Sequence, residues 1–176
     1  TVNALKAGAK NDGKTLNTNA ISKAIDKLSS QGGGTLYFPS GTYLTGPIRL
    51  QSNITLDLDA GAVLSFSDRF DLYMPYVEMR YEGVVMKSFH PLIYAYEAEN
   101  ITIKGRGRLE GNGRAWWEET WRLETAFYKG ELQDAEPTKY QQAWLDANPG
   151  FSVEPQSDWK NTLARHWFRP PFIQLY

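Results

Sequence analysis

The sequence lacks cysteine, an excess of charge of either sign and any long apolar run. Without cysteine it can form neither disulfides nor thiolate metal sites. Its formal net charge of −1 gives no electrostatic reason to expect nucleic acid or an acidic lipid surface as a partner. No apolar run approaches the roughly 20 residues that span a bilayer, so no membrane segment is predicted. Two histidines, His90 and His166, stand far apart without a cluster of ligand residues. We therefore expect no metal site and no cofactor.

What is present indicates a folded protein. The chain has 176 residues, of which 41% are hydrophobic and 14% aromatic, enough for one core and too much for disorder. It begins with Thr1 instead of methionine, so we expect that a preceding segment has been removed.

One segment recurs along the first part of the chain. Its copies read "GGTLYFPSGTYL" from Gly33, "SNITLDLDAGAVL" from Ser52 and "ENITIKGRGRL" from Glu99. Aliphatic residues alternate with polar ones in each copy, a pattern typical of strands with one buried face. A second segment, "PIRL", "PLIYA" and "PFIQLY", recurs from Pro47, Pro91 and Pro171. Proline is tolerated at the first residue of a strand, so these also predict strands.

The spacing of the copies predicts a solenoid. Asn53 and Asn100 lie 47 residues apart, and 21 remain when the 26-residue stretch 66–91 is set aside as a loop insertion. Pro91 and Pro171 lie 80 residues apart, and 22 remain without the 58 residues of a tryptophan-rich insertion at 113–170. Both remainders suit one coil of a parallel β-solenoid.

Two residue types mark the corners of the predicted coils. Gly41, Gly61 and Gly107 stand where one strand bends into the next, and glycine tolerates the positive φ that such bends need. Asn53 and Asn100 match the N-x-[ST] glycosylation pattern. Because both begin equivalent strands, a stacked, hydrogen-bonded turn position is the better interpretation.

The two ends of the predicted solenoid differ. Residues 17–31 read as an amphipathic helix that Asn17 or Thr18 could cap, with Ile21, Ala24, Ile25 and Leu28 on one face. We interpret it as an N-terminal capping helix, because the first coil of a solenoid needs a cover. The apolar strand "PPFIQLY" has no such cover, so we expect residues 1–176 to be the N-terminal portion of one β-helix domain, open at its C-terminal end.

Three stretches together resemble the N-terminal part of the polygalacturonase family, the family 28 glycoside hydrolases. They are "AGAKNDGKTLNTNAISKAIDKL", "GGGTLYFPSGTYLTGPIRLQSNITLDLDAGAVL" and "PLIYAYEAENITIKGRGRLEGNGRAWW". The combination of "PLIYA", "NITI" and "WW" is similar to the bacterial hydrolases of the family, and the Arg-aromatic-Glu-Gly stretch in "MRYEGV" is similar to their exo-acting members. The resemblance implies an all-β, right-handed parallel β-helix that hydrolyses α-linked galacturonan with inversion. It also implies a pectic polysaccharide or oligogalacturonide as the partner and a periplasmic or secreted location.

The catalytic signatures of that family do not occur in this sequence. Those signatures are Asn-Thr-Asp, Asp-Asp, Gly-His-Gly and Arg-Ile-Lys, and they lie on later coils than the ones present here. Inverting hydrolysis needs one carboxylic acid and one carboxylate, and no pair in this sequence can be assigned those roles. We therefore expect no catalytic residue in the 176 residues and no activity from this chain alone.

The insertion at 113–170 contains all six tryptophans. It reads as three short helices, the first with Trp117, Trp121 and Tyr128 on one face and Gly130 at its end. The second spans 137–147, and Ser157 could cap the third, which carries Trp159 and Leu163. The tryptophans either form aromatic walls of a sugar subsite or pack the small core of the insertion itself, and the second interpretation is favoured for any single residue. Trp117 and Trp167 are the candidates for substrate contact, in a loop that would close one end of the groove and favour attack on chain ends.

Arginine can bind the carboxylate of a uronic acid through two hydrogen bonds. Arg165, His166 and Arg169 precede the last predicted strand, and Arg80 stands in "MRYEGV". They are candidate substrate-binding residues. The favoured alternative is that the arginines pair with acidic neighbours, such as Glu82 for Arg80, or lie on a solvated face.

Two other functions remain open. The stretch "GAKNDGKT" is shared with noncatalytic β-helical binding modules of the tailspike kind. Pectate lyases share the fold and bind Ca²⁺ through clustered carboxylates. No Asp/Glu pair recurs at the coil spacing, which favours the hydrolase.

Overall fold

The computed structural model describes residues 1–81, 83–131, 137–149 and 169–176. Its strands are β1 (Val2–Asn3), β2 (Gly34–Phe38), β3 (Gly41–Thr45), β4 (Ile48–Arg49), β5 (Ile54–Leu58), β6 (Ala62–Phe66), β7 (Val77–Tyr81), β8 (Val84–Ser88), β9 (Ile93–Ala95), β10 (Thr102–Gly105), β11 (Arg108–Glu110) and β12 (Ile173–Leu175). Its α-helices are α1 (Thr18–Ser30), α2 (Arg114–Tyr128) and α3 (Lys139–Ala147).

The chain forms two compact units. Unit 1 comprises Thr1–Tyr73, His90–Asn112 and Pro171–Tyr176. Unit 2 comprises Met74–Phe89 and Gly113–Pro170.

In unit 1 the chain passes repeatedly through three parallel sheets. Sheet A has the order β1-β2-β5-β10, sheet B β11-β6-β3 and sheet C β12-β9-β4. Equivalent residues of the predicted repeats lie side by side: Leu36 next to Leu56, and Leu56 next to Ile103. The predicted strand repeats are therefore confirmed as strands that stack on one another in register.

The core of unit 1 is built from the inward positions of these strands. Leu36, Leu56 and Leu64 are fully buried, because alternation along a strand sends every second side chain inward. The ring of Phe38 meets that of Tyr43 edge to face, with centroids 5.3 Å apart, at the bend from sheet A to sheet B. Burial of apolar area, at about 25 cal/mol per Å², is the main force that holds one pass on the next.

Glycine is required at the bends for two different reasons, a positive φ at some positions and a lack of space for a side chain at another. Gly41 and Gly61 have the expected positive φ, of 127° and 80°. In the third copy the positive φ, 114°, falls on Gly105, so the expectation for Gly107 is wrong. Gly107 is required for space, since a Cβ there would lie 2.6 Å from the Cβ of Leu58.

Asn53 and Asn100 form the stacked turn that the sequence predicts. Both adopt left-handed backbone conformations, with φ of 65° and 57°. The Asn100 side-chain amide donates to Asn53 Oδ1 at 2.9 Å. Asparagine tolerates this conformation better than most residues, so it serves both the turn and the contact between passes.

Helix α1 has the predicted buried face. Ile21, Ala24, Ile25 and Leu28 are all buried, and the helix contacts β2, β4 and β5. Its role as a cover of the first coil stays a prediction.

The start of α1 differs from the expectation that Asn17 or Thr18 caps it. Asn17 occupies the N-cap position, but its side chain makes no capping hydrogen bond. Its amide instead accepts from Lys10 N at 2.7 Å and donates to Leu44 O at 3.0 Å. Thr18 Oγ1 accepts from Gly46 N at 2.7 Å. Both side chains thus join the start of the helix to neighbouring segments instead of accepting hydrogen bonds from the free N–H groups of its first turn.

The stretch 66–91 is more ordered than the predicted loop insertion. It holds a 3-10 helix, Phe70–Tyr73, and an antiparallel hairpin of β7 and β8. Met79 and Met86 face each other across this hairpin and are buried, whereas Val85 is 53% exposed. The sequence signal of these strands is the alternation in "VEMRY" and "VVMKS", which lies outside the period of the coil repeats.

Unit 2 has a small core of its own. Met79, Met86 and Trp144 form a buried cluster, against which Tyr76 and Leu145 pack. Helix α3 begins with a capping box, since Gln141 N donates to Thr138 Oγ1 at 3.3 Å and Thr138 N donates to Gln141 Oε1 at 2.9 Å. The helix predicted at 137–147 is thus confirmed, with its first turn two residues later.

The tryptophans of helix α2 differ in their exposure to solvent. Trp116 is buried, with its ring 5.1 Å from that of Phe89. Trp121 is 60% exposed and Tyr128 66% exposed, on the face that the sequence predicted. Gly130, with φ of 74°, follows the helix end as predicted.

The third predicted helix, with Ser157, Trp159 and Leu163, lies outside the described residues. Among the residues that are described, none belongs to a helix long and apolar enough to cross a membrane.

Asp12 makes the stability of the fold dependent on pH. Its Oδ1 accepts from Thr15 N at 2.8 Å and Lys14 N at 2.9 Å, and its Oδ2 from Thr15 Oγ1 at 2.7 Å. These bonds, that from Thr15 N above all, lower the pKa of Asp12 from 3.8 to about 2. Because the pKa falls on folding, the carboxylate stabilises the fold above pH 3.8, and this stabilisation is lost as the pH falls through about 2.

We expect Asp12→Asn, which removes the charge and keeps an acceptor, to lower the free energy of unfolding near neutral pH. The difference from wild type should shrink between pH 4 and pH 2. Urea unfolding at a series of pH values measures it. The same difference at pH 7 and at pH 2 would show that the charge of Asp12 is not responsible.

The two kinds of tryptophan on α2 can be compared directly. Trp116→Ala should lower the free energy of unfolding by about 3–5 kcal/mol, because it leaves a cavity. Trp121→Ala should lower it by at most about 1.5 kcal/mol, the value of an aromatic pair. Urea unfolding followed by far-ultraviolet circular dichroism makes the comparison, and equal losses would contradict the assigned burial.

Candidate functional site

The accessible aromatic surface of unit 2 lies on α2. Trp117 and Trp121 are one helical turn apart, and their rings approach to 4.6 Å between centroids at an angle of 57°. Trp117 is half-buried, whereas Trp121 is mostly exposed. Trp116 and Trp144 are buried, as the interpretation that tryptophans pack the core of the insertion predicts. The pair on α2 offers ring surface to solvent, and its part in a sugar subsite stays a prediction.

A shallow cavity of about 370 Å³ lies beside Trp121. Its lining includes the charged residues Glu118, Arg122, Lys129 and Glu131. Arg122 Nη2 lies 2.7 Å from Glu119 Oε1, and outside the lining Arg114 Nε lies 2.7 Å from Glu118 Oε1. These carboxylates raise the pKa of both guanidinium groups. The helix therefore offers an indole face whose neighbouring arginines are already paired.

Of the basic residues predicted to bind substrate, Arg80 and Arg169 lie within the described part of the chain. Arg80 is exposed on β7, and no described residue pairs with it. Its alternative partner, Glu82, lies outside the described residues. Arg169 is exposed as well. Arg165, His166 and Trp167 lie outside the described residues, so their proximity to Arg169 stays a prediction.

His90 is a partly buried residue of unit 1. Its Nδ1 lies 2.7 Å from Pro91 O, and its ring meets that of Tyr94 edge to face at 5.0 Å. Burial lowers the pKa of His90, the hydrogen bond to Pro91 O partly offsets this effect, and the charge of Arg49 lowers the pKa further. The imidazole is therefore neutral near pH 7, with the proton on Nδ1 if it donates to Pro91 O. Among the described residues, no group of three or more His, Asp or Glu side chains could hold a metal ion.

A row of residues on sheet C escaped the sequence analysis. Arg49, Tyr94 and Gln174 are register partners on β4, β9 and β12. Ile48, Ile93 and Ile173 are partners at the preceding position, and Ile48 and Ile93 are buried. The three residues differ in exposure: Arg49 is exposed, Tyr94 is buried and Gln174 is partly buried. The signal was present in the aligned "PIRL", "PLIYA" and "PFIQLY", at the position after isoleucine.

Comparison with known proteins agrees with this architecture. Residues 1–71 match the family described as "Rhamnogalacturonase A/epimerase, pectate lyase-like". A probable polygalacturonase from Vitis vinifera is 32% identical over 74% of this chain. An exo-poly-alpha-D-galacturonosidase from Dickeya chrysanthemi is 34% identical over 64% of it.

A solved structure covers almost the whole chain. The crystal structure of a hyperthermoactive exopolygalacturonase from Thermotoga maritima matches 99% of this chain, with a TM-score of 0.71 and 36% identity. This chain covers only 38% of that protein. It spans 27% and 19% of the length of the two curated relatives. The resemblance to the polygalacturonases is therefore confirmed: the homologues of this chain are named polygalacturonase and exo-poly-alpha-D-galacturonosidase, and it corresponds to only part of their length.

Proposed function

We propose that this chain is part of a pectin-degrading glycoside hydrolase that cleaves α-linked galacturonan from a chain end by inverting hydrolysis. The observation that carries the proposal is the match to the Thermotoga maritima exopolygalacturonase, which includes 99% of this chain but 38% of that protein. The catalytic carboxylates would then belong to residues outside this chain.

We propose that the three sheets are successive faces of right-handed parallel β-helix coils. Support comes from the order in which the chain visits sheets A, B and C, and from the parallel register between passes. Helix α1 covers the first coil in this proposal, because its apolar face packs on β2, β4 and β5. Such a cover prevents unwanted pairing at the start of a solenoid.

The substrate of the whole protein would be pectic polysaccharide or oligogalacturonide. The names of the relatives support this assignment. A polysaccharide too large to cross a membrane would be met outside the cytoplasm, so we propose a periplasmic or secreted location.

Inverting hydrolysis places two carboxyl groups about 6.5–9.5 Å apart, with water between base and sugar. One protonates the departing oxygen, and the other activates the water. In this proposal the 176 residues contribute binding surface and not those carboxyl groups.

The proposed contacts of this chain with substrate come mainly from the tryptophan-rich insertion. Trp117 would offer a ring face to a pyranose, since it is half-buried and fixed by its contact with Trp121. Arg80 and Arg169 would bind uronate carboxylates, because each is exposed and neither has a carboxylate partner among the described residues. Arg165, His166 and Trp167 complete the proposed set but lie outside the described residues.

The 176-residue chain on its own should not hydrolyse polygalacturonate, because it contains neither catalytic carboxyl group of the proposed mechanism. Release of reducing ends from polygalacturonate measures this. Turnover by the purified chain would place the catalytic residues within it and overturn this part of the proposal.

A protein that contains this chain together with the later coils should release mainly short products from the chain ends. Chromatography of early digestion products distinguishes this from cleavage at internal bonds. Nuclear magnetic resonance of the first product should show the inverted anomer. Long oligomers without monomer or dimer would rule out attack from an end, and retention of configuration would rule out inversion.

A further inference from the structure

Asn-Gly occurs once in the chain, at Asn112–Gly113, directly after β11. Asparagine is a thermolabile residue, because the backbone nitrogen of the following residue can attack its Cγ and close a succinimide ring. A following glycine makes this attack easiest, since it has no side chain to shield the nitrogen. A Cβ built at Gly113 would have no heavy atom within 4 Å, so the space beside this residue is open.

The attacking nitrogen is available at this position. Asn112 is exposed, and the N–H of Gly113 donates to no acceptor among the residues that the structure describes. The comparable sequence Asp12–Gly13 is different, since Gly13 N donates to Thr42 O at 2.8 Å. The pKa of Asp12 is about 2, so its side chain is an ionised carboxylate, which resists attack by a nucleophile. Of the two sequences, Asn112–Gly113 is therefore the reactive one.

Two hydrogen bonds hold the leaving group of Asn112. Its Nδ2 donates to Phe66 O at 2.8 Å and to Ser65 Oγ at 2.9 Å. Ring closure removes Nδ2 as ammonia, so both hydrogen bonds must break before the product forms. Each ordinary hydrogen bond shifts such a local equilibrium by about fivefold, and the two together slow the reaction roughly 25-fold relative to an unfolded chain.

We propose that Asn112 is a site of spontaneous deamidation, at a rate set by its hydrogen bonds to Ser65 and Phe66. The backbone nitrogen of Gly113 gives up its proton and forms a bond to Cγ of Asn112. The Cγ–Nδ2 bond breaks, and the departing nitrogen takes up a proton and leaves as ammonia. Water then opens the succinimide at either carbonyl, which gives aspartate or isoaspartate at position 112.

The products differ from asparagine in what they can donate. A carboxylate at position 112 has no N–H for Phe66 O, and its negative charge faces that carbonyl oxygen. The φ of Asn112 is 45°, a conformation that aspartate also tolerates. The effect is therefore the loss of hydrogen bonds instead of backbone strain. Deamidation weakens the contact between the end of β6 and the residue that follows β11.

The test follows tryptic peptides of the 176-residue chain during incubation at mildly alkaline pH. Peptide 109–114 contains Asn112. Peptides 50–69 and 88–104 contain Asn53 and Asn100, which are also exposed with positive φ but precede isoleucine. Mass spectrometry should detect the replacement of NH₂ by OH in peptide 109–114 alone, and chromatography should separate its aspartyl and isoaspartyl forms. A synthetic peptide 109–114, which lacks Ser65 and Phe66, should react roughly 25-fold faster than the folded chain.

Variants separate the attack from the hydrogen bonds that slow it. Gly113→Ala should prevent the reaction over the same incubation, because its methyl group shields the nitrogen and fits the open space. Ser65→Ala should speed the reaction about fivefold, since it removes one of the two hydrogen bonds. Ser40→Ala is the matched control, because it removes an exposed hydroxyl without contact to Asn112 and should leave the rate unchanged. Circular dichroism establishes that each variant is folded.

The structural consequence has its own measurement. Asn112→Asp reproduces one of the two products and should lower the urea midpoint of unfolding. Wild type that has been incubated should move towards the same midpoint, whereas Gly113→Ala should keep its midpoint throughout. An unchanged midpoint in Asn112→Asp would contradict the proposed weakening.

Three results would overturn the site: no conversion in the folded chain while the synthetic peptide converts, equal rates in wild type and Gly113→Ala, or equal conversion at Asn53, Asn100 and Asn112. Equal rates in wild type, Ser65→Ala and the synthetic peptide would show that the hydrogen bonds do not set the rate.

Discussion

In-register hydrogen bonding between parallel strands of successive passes is the constraint on which the rest of unit 1 depends. Because each residue lies directly beside its equivalent one pass earlier, an inward position must hold a side chain that stacks, as Leu36 and Leu56 do. The same register brings the backbones close enough at the bend for Gly107 to have no room for a side chain. It also places Asn100 above Asn53, where one amide can donate to the other.

The parallel sheets tolerate two long insertions because hydrogen bonds hold the residues that flank each insertion. Before the first insertion Tyr73 O accepts from His90 N at 2.9 Å, which joins the residues on either side of it. Before the second insertion, the side-chain amide of Asn112 donates to Phe66 O at 2.8 Å and to Ser65 Oγ at 2.9 Å. With the ends held, the cost of a longer loop rises only slowly with its length. Aromatic and charged chemistry can therefore vary in the insertions while the sheets keep their register.

Prediction from the sequence succeeded where a physical pattern was local or repeated. The strands, the buried face of α1 and the Asn53–Asn100 pair followed from alternation, helical period and repeat spacing. Prediction failed where strand pairing lies outside the coil repeat and where several positions of a bend could take the positive φ. The hairpin of β7 and β8 escaped because its pairing joins Met79 to Met86, outside the period of the coils. Gly105 was missed for Gly107 because a bend can take its positive φ at more than one position.

The candidate site divides in the same way. The sequence located the tryptophan-rich segment and named Trp117, but Trp116 and Trp117 are adjacent letters with no difference in type. Only the packing of α2 decides that Trp116 is buried against Phe89 while the neighbouring ring pairs with Trp121. The row of Arg49, Tyr94 and Gln174 was likewise scattered over 125 residues of sequence.

The sequence by itself determined the strand repeats, the amphipathic helix and the relationship to polygalacturonases, because each is carried by the order and period of residue types along the chain. The tertiary structure alone decided which tryptophans are buried and which polar residues are register partners on sheet C. Those properties depend on contacts between residues far apart in the chain.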